Sequence, residues 1–446
     1  MQLINKPNSV RLALAAASSS LLAGAAHAEE KTPWLVDSAL AVYSESDSRV
    51  TAVEPIVALR KDMGGDRMLG LKLTLDSLTG ASPNGAIAAN EAQTFTGPSG
   101  NGSYTAPKGE TPLDTEFKDT RAAVAISWEQ PWGERNRVSV GGNISREYDF
   151  TSAALSAAIA RDFNNKNTTL SFGVNVETDI IDAVGGIPDP LTSLKVGPNP
   201  DHKDGGSENK TVSDLLLGVT QVMNRHWLTQ LNLSVGTSSG YHSDPYKVLS
   251  VLNTDGSLST NPATSGPDLN SKWYLYDSRP DSRSRQSLYW GNKIHLTEDV
   301  IDVSYRYYTD DWGIDSHTLD FRYRYEFGGN MYLEPHVRWY SQTAADFYHL
   351  YLNKGVALDN GVNSSGAASA LDYASADSRL GEFTGTTFGL KYGIELGRNT
   401  EFNIRVEQYQ QTSNAGAPAS MTALKGLDLS PDLTAMTVLV GYSFEF

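Results

Sequence analysis

Apolar and polar residues alternate with a period of two along most of this chain. Asp66–Asp76 is the plainest case, with Leu69, Leu71, Leu73 and Leu75 on one face and Gly70, Lys72, Thr74 and Asp76 on the other. Successive side chains of a strand point to opposite faces, so this period predicts strand rather than helix. Sixteen such segments can be laid along the sequence: Trp34–Ser44, Thr51–Lys61, Asp66–Asp76, Phe117–Glu129, Arg137–Asp149, Ala153–Asp162, Thr168–Thr178, Ser213–Met223, Trp227–Thr237, Arg285–Leu296, Val300–Thr309, Ser316–Phe327, Asn330–Ser341, Thr384–Leu396, Thr400–Gln410 and Leu433–Phe446. The first alternates weakly, the second carries Pro55 on its apolar face, and the Ala-rich sixth reads equally well as helix. In the last, Met436, Val438, Val440, Tyr442, Phe444 and Phe446 share one face, and the chain ends on an aromatic residue.

The connections follow their own rule. Short, turn-rich links such as Met63–Asp66, Gln130–Gly133, Gly328–Asn330 and Gly397–Asn399 follow every second segment. The intervening connections include all the long ones, 79–116, 179–211, 238–284, 342–383 and 411–432, rich in Gly, Ser, Asn, Pro and Asp. Long loops at one rim and tight turns at the other predict an all-β fold: a transmembrane antiparallel β-barrel of about 16 strands, with 14 or 18 as the neighbouring counts. The long loops would be extracellular and exposed, and the turns periplasmic. The terminal aromatics Tyr442, Phe444 and Phe446 then read as the signal recognised by the barrel-assembly machinery.

The N-terminus adds an address. Lys6 and Arg11 precede an apolar run over Leu12–Ala25, and Ala26-His27-Ala28 offers small residues for cleavage before Glu29. Residues 1–28 are read as a signal peptide and 29–446 as the barrel, with the bacterial outer membrane as destination. The run is shorter than the ~20 residues a spanning helix needs, and nothing later approaches that length. Net charge is −16, or −18 once Lys6 and Arg11 leave with the leader, which is the wrong sign for a nucleic-acid binder. There is no cysteine, which excludes thiolate-ligated metal clusters and Cys-attached haem.

Chemistry could reside on the inward face. Its candidate lumen wall is Asp302, Arg306, Asp320, Arg322, Arg324, Glu326, Glu334, His336, Arg338, Lys391, Glu395, Arg405 and Glu407. A Gly-Gly-Asn turn pairing Phe327 with Met331 sets Arg324 opposite Glu334 and Asp320 opposite Arg338. No zinc-protease, nucleophile-elbow or phosphate-loop motif occurs. The expectation is therefore no enzyme, no catalytic residue, no metal and no cofactor.

One region reads as more than wall: Arg279–Arg283, Tyr305–Thr318, Tyr332–Arg338 and Ala344–Tyr348 are dense in aromatic and charged residues. On these segments, and over nearly the whole mature length, the chain resembles a family of proteobacterial outer-membrane proteins described only as a domain of unknown function. The resemblance implies an outer-membrane β-barrel with no established activity. Because members are often encoded near flavin-attachment and thioredoxin-like proteins, it also implies an envelope redox setting. Physically, Arg279, Asp281, Arg283, Asp310, Asp311, Trp312, His317, Asp346, Phe347 and Tyr348 leave one rim together and are expected to form a clamp narrowing the lumen. The functional expectation is a porin-like channel for ions or small polar solutes. The alternative is a barrel component of an envelope complex with a periplasmic or surface partner, and an outer-membrane enzyme comes third. Lipid is the expected surroundings, and no nucleic acid is expected.

Overall fold

The computed structural model describes residues 33–46, 49–96, 103–194, 203–261, 272–356, 371–413 and 416–446. The leader, residues 1–28, lies outside them. Sixteen antiparallel strands close into one barrel. In chain order they are β1 (Trp34–Glu45), β2 (Val50–Asp62), β3 (Met68–Pro83), β4 (Leu113–Pro131), β5 (Asn136–Arg146), β6 (Phe150–Phe163), β7 (Thr168–Ile181), β8 (Glu208–Asn224), β9 (Trp227–Gly240), β10 (Ser282–His295), β11 (Val300–Asp310), β12 (Asp315–Phe327), β13 (Met331–Gln342), β14 (Phe383–Gly397), β15 (Thr400–Thr412) and β16 (Leu433–Glu445). Every periodic segment of the sequence has become a strand.

The weak cases resolve for physical reasons. The Ala-rich segment is strand β6 because β5 and β7 offer it ladders on both edges, from Asn136↔Arg161 to Arg146↔Thr151 and from Phe150↔Ile181 to Phe163↔Thr168. In lipid, a barrel must satisfy every backbone group between strands. Pro55 lacks an N–H, and the β2–β3 ladder skips Glu54 and Pro55 between Val53↔Ser77 and Ile56↔Thr74. Closure rests on β1 and β16, paired from Leu35↔Glu445 to Glu45↔Ala435.

The exterior is an apolar band. Val124, Ile144, Leu155, Leu217, Leu319, Phe388 and Leu390 all stand exposed on it, and Leu155 is 73% exposed. A water-soluble protein would not leave such a continuous belt uncovered, whereas a transmembrane barrel presents it to acyl chains. The terminal aromatics stack in series along the outside of β16, with ring centroids 5.4 Å apart for Tyr442–Phe444 and 6.3 Å for Phe444–Phe446. At the near rim the turns are tight. Gly328 and Gly329 hold φ of 64° and 79°, which only glycine adopts without strain.

The long connections depart from the expectation of exposed loops. Residues from five of them make two apolar cores: Ala86, Ile87, Phe95, Val248, Leu252, Tyr274, Met421 and Leu424 in one, and Leu191, Leu249, Val251, Trp273, Leu275, Leu352 and Ala374 in the other. Leu249, Val251, Leu252 and Leu275 have no exposed surface, so these loops hold the most deeply buried apolar side chains of the described chain. A small sheet ties two connections together: Val248–Leu252 pairs antiparallel with Tyr274–Tyr276 and parallel with Leu352–Asn353. The long-loop rim thus carries a packed roof.

Candidate functional site

Inside the barrel, β10–β15 bring together the charged residues read from the sequence. Lys293 meets Asp302 at 3.6 Å, and Arg324 meets Glu326 at 3.1 Å and Glu395 at 3.3 Å. Arg405 meets Glu334 at 3.0 Å and Glu407 at 3.4 Å. His336, buried at 6% exposure, is held on both sides: Nε2 lies 3.0 Å from Asp320 and Nδ1 2.8 Å from Glu407. Arg322 lies 3.4 Å from Asp320, Lys391 3.5 Å from Glu401, and the Arg306 guanidinium 5.5 Å from the Tyr289 ring.

The predicted register is present, and the predicted partners are not. Asp320 stands opposite Arg338, and the flanking pairs Arg322↔His336 and Tyr325↔Leu333 set Arg324 opposite Glu334. Yet Asp320 turns to His336 and Arg322, and Glu334 turns to Arg405, two strands away. Glu334 and Arg405 meet beside Lys391, whereas His336 reaches Glu407 where β14 presents glycine inward. Gly389 lies between His336 and Glu407 in the ladders, and a Cβ on it would sit 2.9 Å from Glu407 Cγ. Gly393 lies under the ring of Tyr332, whose hydroxyl donates to Glu401 at 2.6 Å, and Gly385 lies under Tyr409. Gly389 and Gly393 let side chains of β13 and β15 join across β14, a feature sequence reading missed, and Gly385 continues the row. Their spacing of four on the polar face was its only signal.

Near the turn rim, the wall opens onto a cavity of about 530 Å³ lined by Lys293, His295, Asp302, Arg322, Arg324, Glu326, Glu334, Lys391 and Arg405. Toward the other end, roof and wall meet around a second cavity that includes Glu177, Asp179, Lys210, His242, Arg283, Arg285, Trp312 and Arg379. There His242 accepts or donates at 2.8 Å to Ser238 Oγ through Nε2, and its Nδ1 lies 2.8 Å from the Gly240 carbonyl. Burial pushes the His242 imidazole down to about 4.

The clamp forms in part. Arg283 forks onto Asp310 and lies with its guanidinium carbon 4.3 Å from the Trp312 ring centre. Trp312 packs edge-on against Phe347 at 5.1 Å and donates its indole N–H to the Ser282 carbonyl at 2.8 Å. Ile314, Ala345 and Leu380 complete this core, with Tyr348 against it. Asp311 caps the Ser284 amide at 2.9 Å, and Asp346 is exposed and joins through its backbone, its N–H donating to the Trp312 carbonyl. Asp281 is likewise exposed and contributes its carbonyl to Gly240 N–H. His317 does not join the clamp: it lies within strand β12, which begins at Asp315, and the period of two that turns Leu319 and Phe321 outward carries it outward too, where it bonds Tyr305 at 2.7 Å.

Arg279 belongs to a deeper cluster that the sequence did not reveal as one. It meets Asp277 at 2.7 Å and Asp377 at 3.0 Å, while Arg379 meets Asp244 at 3.1 Å and also forks onto Asp377. Lys247 joins the Pro83 carbonyl. Burial favours the neutral acid at Asp377, but Arg379 and Arg279 outweigh it and hold the group well below the ordinary carboxylate range. Burial prevails at Asp277 and pushes it up. This ionic latch joins two long connections and, through Lys247, the end of β3. Among the described residues one trio of carboxylates converges, Asp119, Glu147 and Asp149, with oxygens within 4.8 Å, and Asp149 already accepts from the Tyr246 hydroxyl at 2.5 Å.

A family model described as "Protein of unknown function (DUF3570)" matches residues 11–444. Comparison with curated proteins gives no match. Similar solved structures include the ferric enterobactin receptor PfeA of Pseudomonas aeruginosa, with TM-score 0.41 and 10% identity over 86% of this chain and 55% of the receptor. The outer membrane protein opdK of the same organism has TM-score 0.37 and 9% identity over 93% of this chain and 99% of its own. The CymD monoaromatic hydrocarbon channel has TM-score 0.38 and 8% identity over 94% and 90%. The chain spans little more than half the length of the receptor.

Proposed function

We propose that this chain, which belongs to the DUF3570 family of proteins of unknown function, is a channel of the bacterial outer membrane for ions or small polar solutes. The observation that carries the reading is the lumen of the sixteen-strand barrel, lined by paired charges and open as a cavity of about 530 Å³ at the turn rim. A barrel of this size leaves room for an aqueous path unless loops or a plug fill it, and here the wall is polar. The roof narrows the other mouth, with the Arg283–Asp310–Trp312 contact at its junction with the wall. Swelling of liposomes carrying the purified protein tests this. Small polar solutes should enter faster than into protein-free liposomes, and Arg283→Ala should raise the rate by freeing the Trp312 segment. Liposomes that swell no faster than empty ones would leave the barrel without a channel role.

A further inference from the structure

We infer that the lumen prefers anions and that Arg338 sets this preference. The inference rests on the channel reading and names its solute class: small anions bearing a carboxylate or phosphate group.

The carboxylate facing Arg338 in the ladder is Asp320, and Asp320 is already engaged by His336 at 3.0 Å and Arg322 at 3.4 Å. The neighbouring acids are engaged too, Glu407 by His336 and Arg405, and Glu334 by Arg405. On its other side Arg338 faces Thr387 of β14, which carries no charge. Among the described residues no carboxylate forms an ion pair with Arg338. Its guanidinium carbon lies 5.9 Å from the Tyr340 ring, a contact that leaves the N–H edge available. A guanidinium midway along the wall therefore keeps its donors for the lumen.

The cavity beside it is lined by more cations than acids. The turn-rim cavity below it is lined by the cations Lys293, Arg322, Arg324, Lys391 and Arg405 against the acids Asp302, Glu326 and Glu334. Across the lumen β6–β9 present Ser156, Ala158, Ser171, Gly218, Asn232 and Ser234 inward, and the inward charges Glu177, Asp179, Lys210 and Asp214 lie nearer the long-loop rim. Low-dielectric walls focus the field of an unbalanced charge into the space they enclose, and lysine or arginine side chains lining a pore favour anions. The planar fork of arginine matches a carboxylate or phosphate edge and would hold it through two N–H bonds.

Reversal potentials across a KCl gradient, measured on the purified full-length protein in planar bilayers, test the inference. Wild type should pass chloride severalfold over potassium. Arg338→Gln should bring the ratio towards one, and Arg338→Lys should keep most of it. Inorganic phosphate should reduce the chloride current of wild type and spare that of Arg338→Gln. Both variants can be checked for folding by the heat-dependent gel shift of intact barrels. A conducting wild type that prefers potassium, or a folded Arg338→Gln with unchanged selectivity, overturns the inference and leaves the channel reading standing. A wild type that conducts nothing overturns the channel reading and the inference with it.

Discussion

At the residue scale, the wall is organised by what glycine leaves out. Gly385, Gly389 and Gly393 make β14 a trough over which Tyr409, Glu407 and Tyr332 lie, so the ionic network spans three strands. Gly393→Ala should therefore cost about 1–3 kcal/mol through overpacking against Tyr332. Urea unfolding in detergent should show the loss, and adding Tyr332→Ala should recover most of it. No recovery in the double variant would mean that the glycine serves another need. The register of β12 and β13 was legible because a period of two and a tight turn fix it. The ion pairs were not, because long side chains reach partners two strands away, Glu334 past Lys391 to Arg405 and His336 over Gly389 to Glu407. His317 was misplaced because it belongs to the start of β12 and not to the connection, and the period of two that puts Leu319 outward carries it outward as well.

A second residue-scale consequence concerns acid. The folded pKa of His242, about 4, lies below its unfolded value of ~6.5. The unfolded loop thus binds a proton that the packed roof refuses, and roof stability falls as the pH drops from ~6.5 towards 4, by up to about 3 kcal/mol. Asp377, depressed by Arg379 and Arg279 against its burial, contributes stability above its unfolded pKa that is lost as the pH falls below it. Hydrogen exchange of the amides around Tyr241–Lys247 should accelerate between pH 7 and pH 4.5 relative to the intrinsic rate, and His242→Gln should flatten that dependence. Equal protection at both pH values would contradict it.

At the scale of elements, strands and loops differ in how far the sequence discloses them. Lipid on one side and water on the other force the period of two, and all sixteen strands could be read, including the weak β1 that pairs with β16. The roof has no such periodic cause. Its core is assembled from short runs, Val248–Leu252 and Trp273–Tyr276 among them, contributed by connections far apart in sequence. Those apolar runs inside polar loops were the available signal. The roof's integrity depends on the latch, because removing one side of a buried ion pair strands the other and costs about 3–5 kcal/mol. Arg279→Met would strand Asp277 and leave Asp377 to Arg379 alone. Limited proteolysis should then cleave the long loops faster, while the heat-dependent gel shift of the barrel stays as in wild type. Unchanged loop protection would remove the latch from the account.

For the whole molecule, the barrel and the roof pull in opposite directions. The barrel encloses a polar, charge-lined space that opens at the turn rim, and the roof restricts the mouth at the long-loop rim. Fold, strand number and the sidedness of the loops could be read from periodicity and turn chemistry. The clamp of Arg283, Asp310 and Trp312 could be read in part, but the packed roof could not, since it depends on contacts between loops that no local pattern encodes. The central claim is that solute crosses the lumen under the control of the roof. Single-channel recording of the purified protein in planar bilayers, wild type beside Arg279→Met, tests this most directly. The account predicts discrete conductance steps in both, with longer or larger openings when the latch is broken. Silent bilayers from both proteins, with the barrels shown to be folded and inserted, would contradict it.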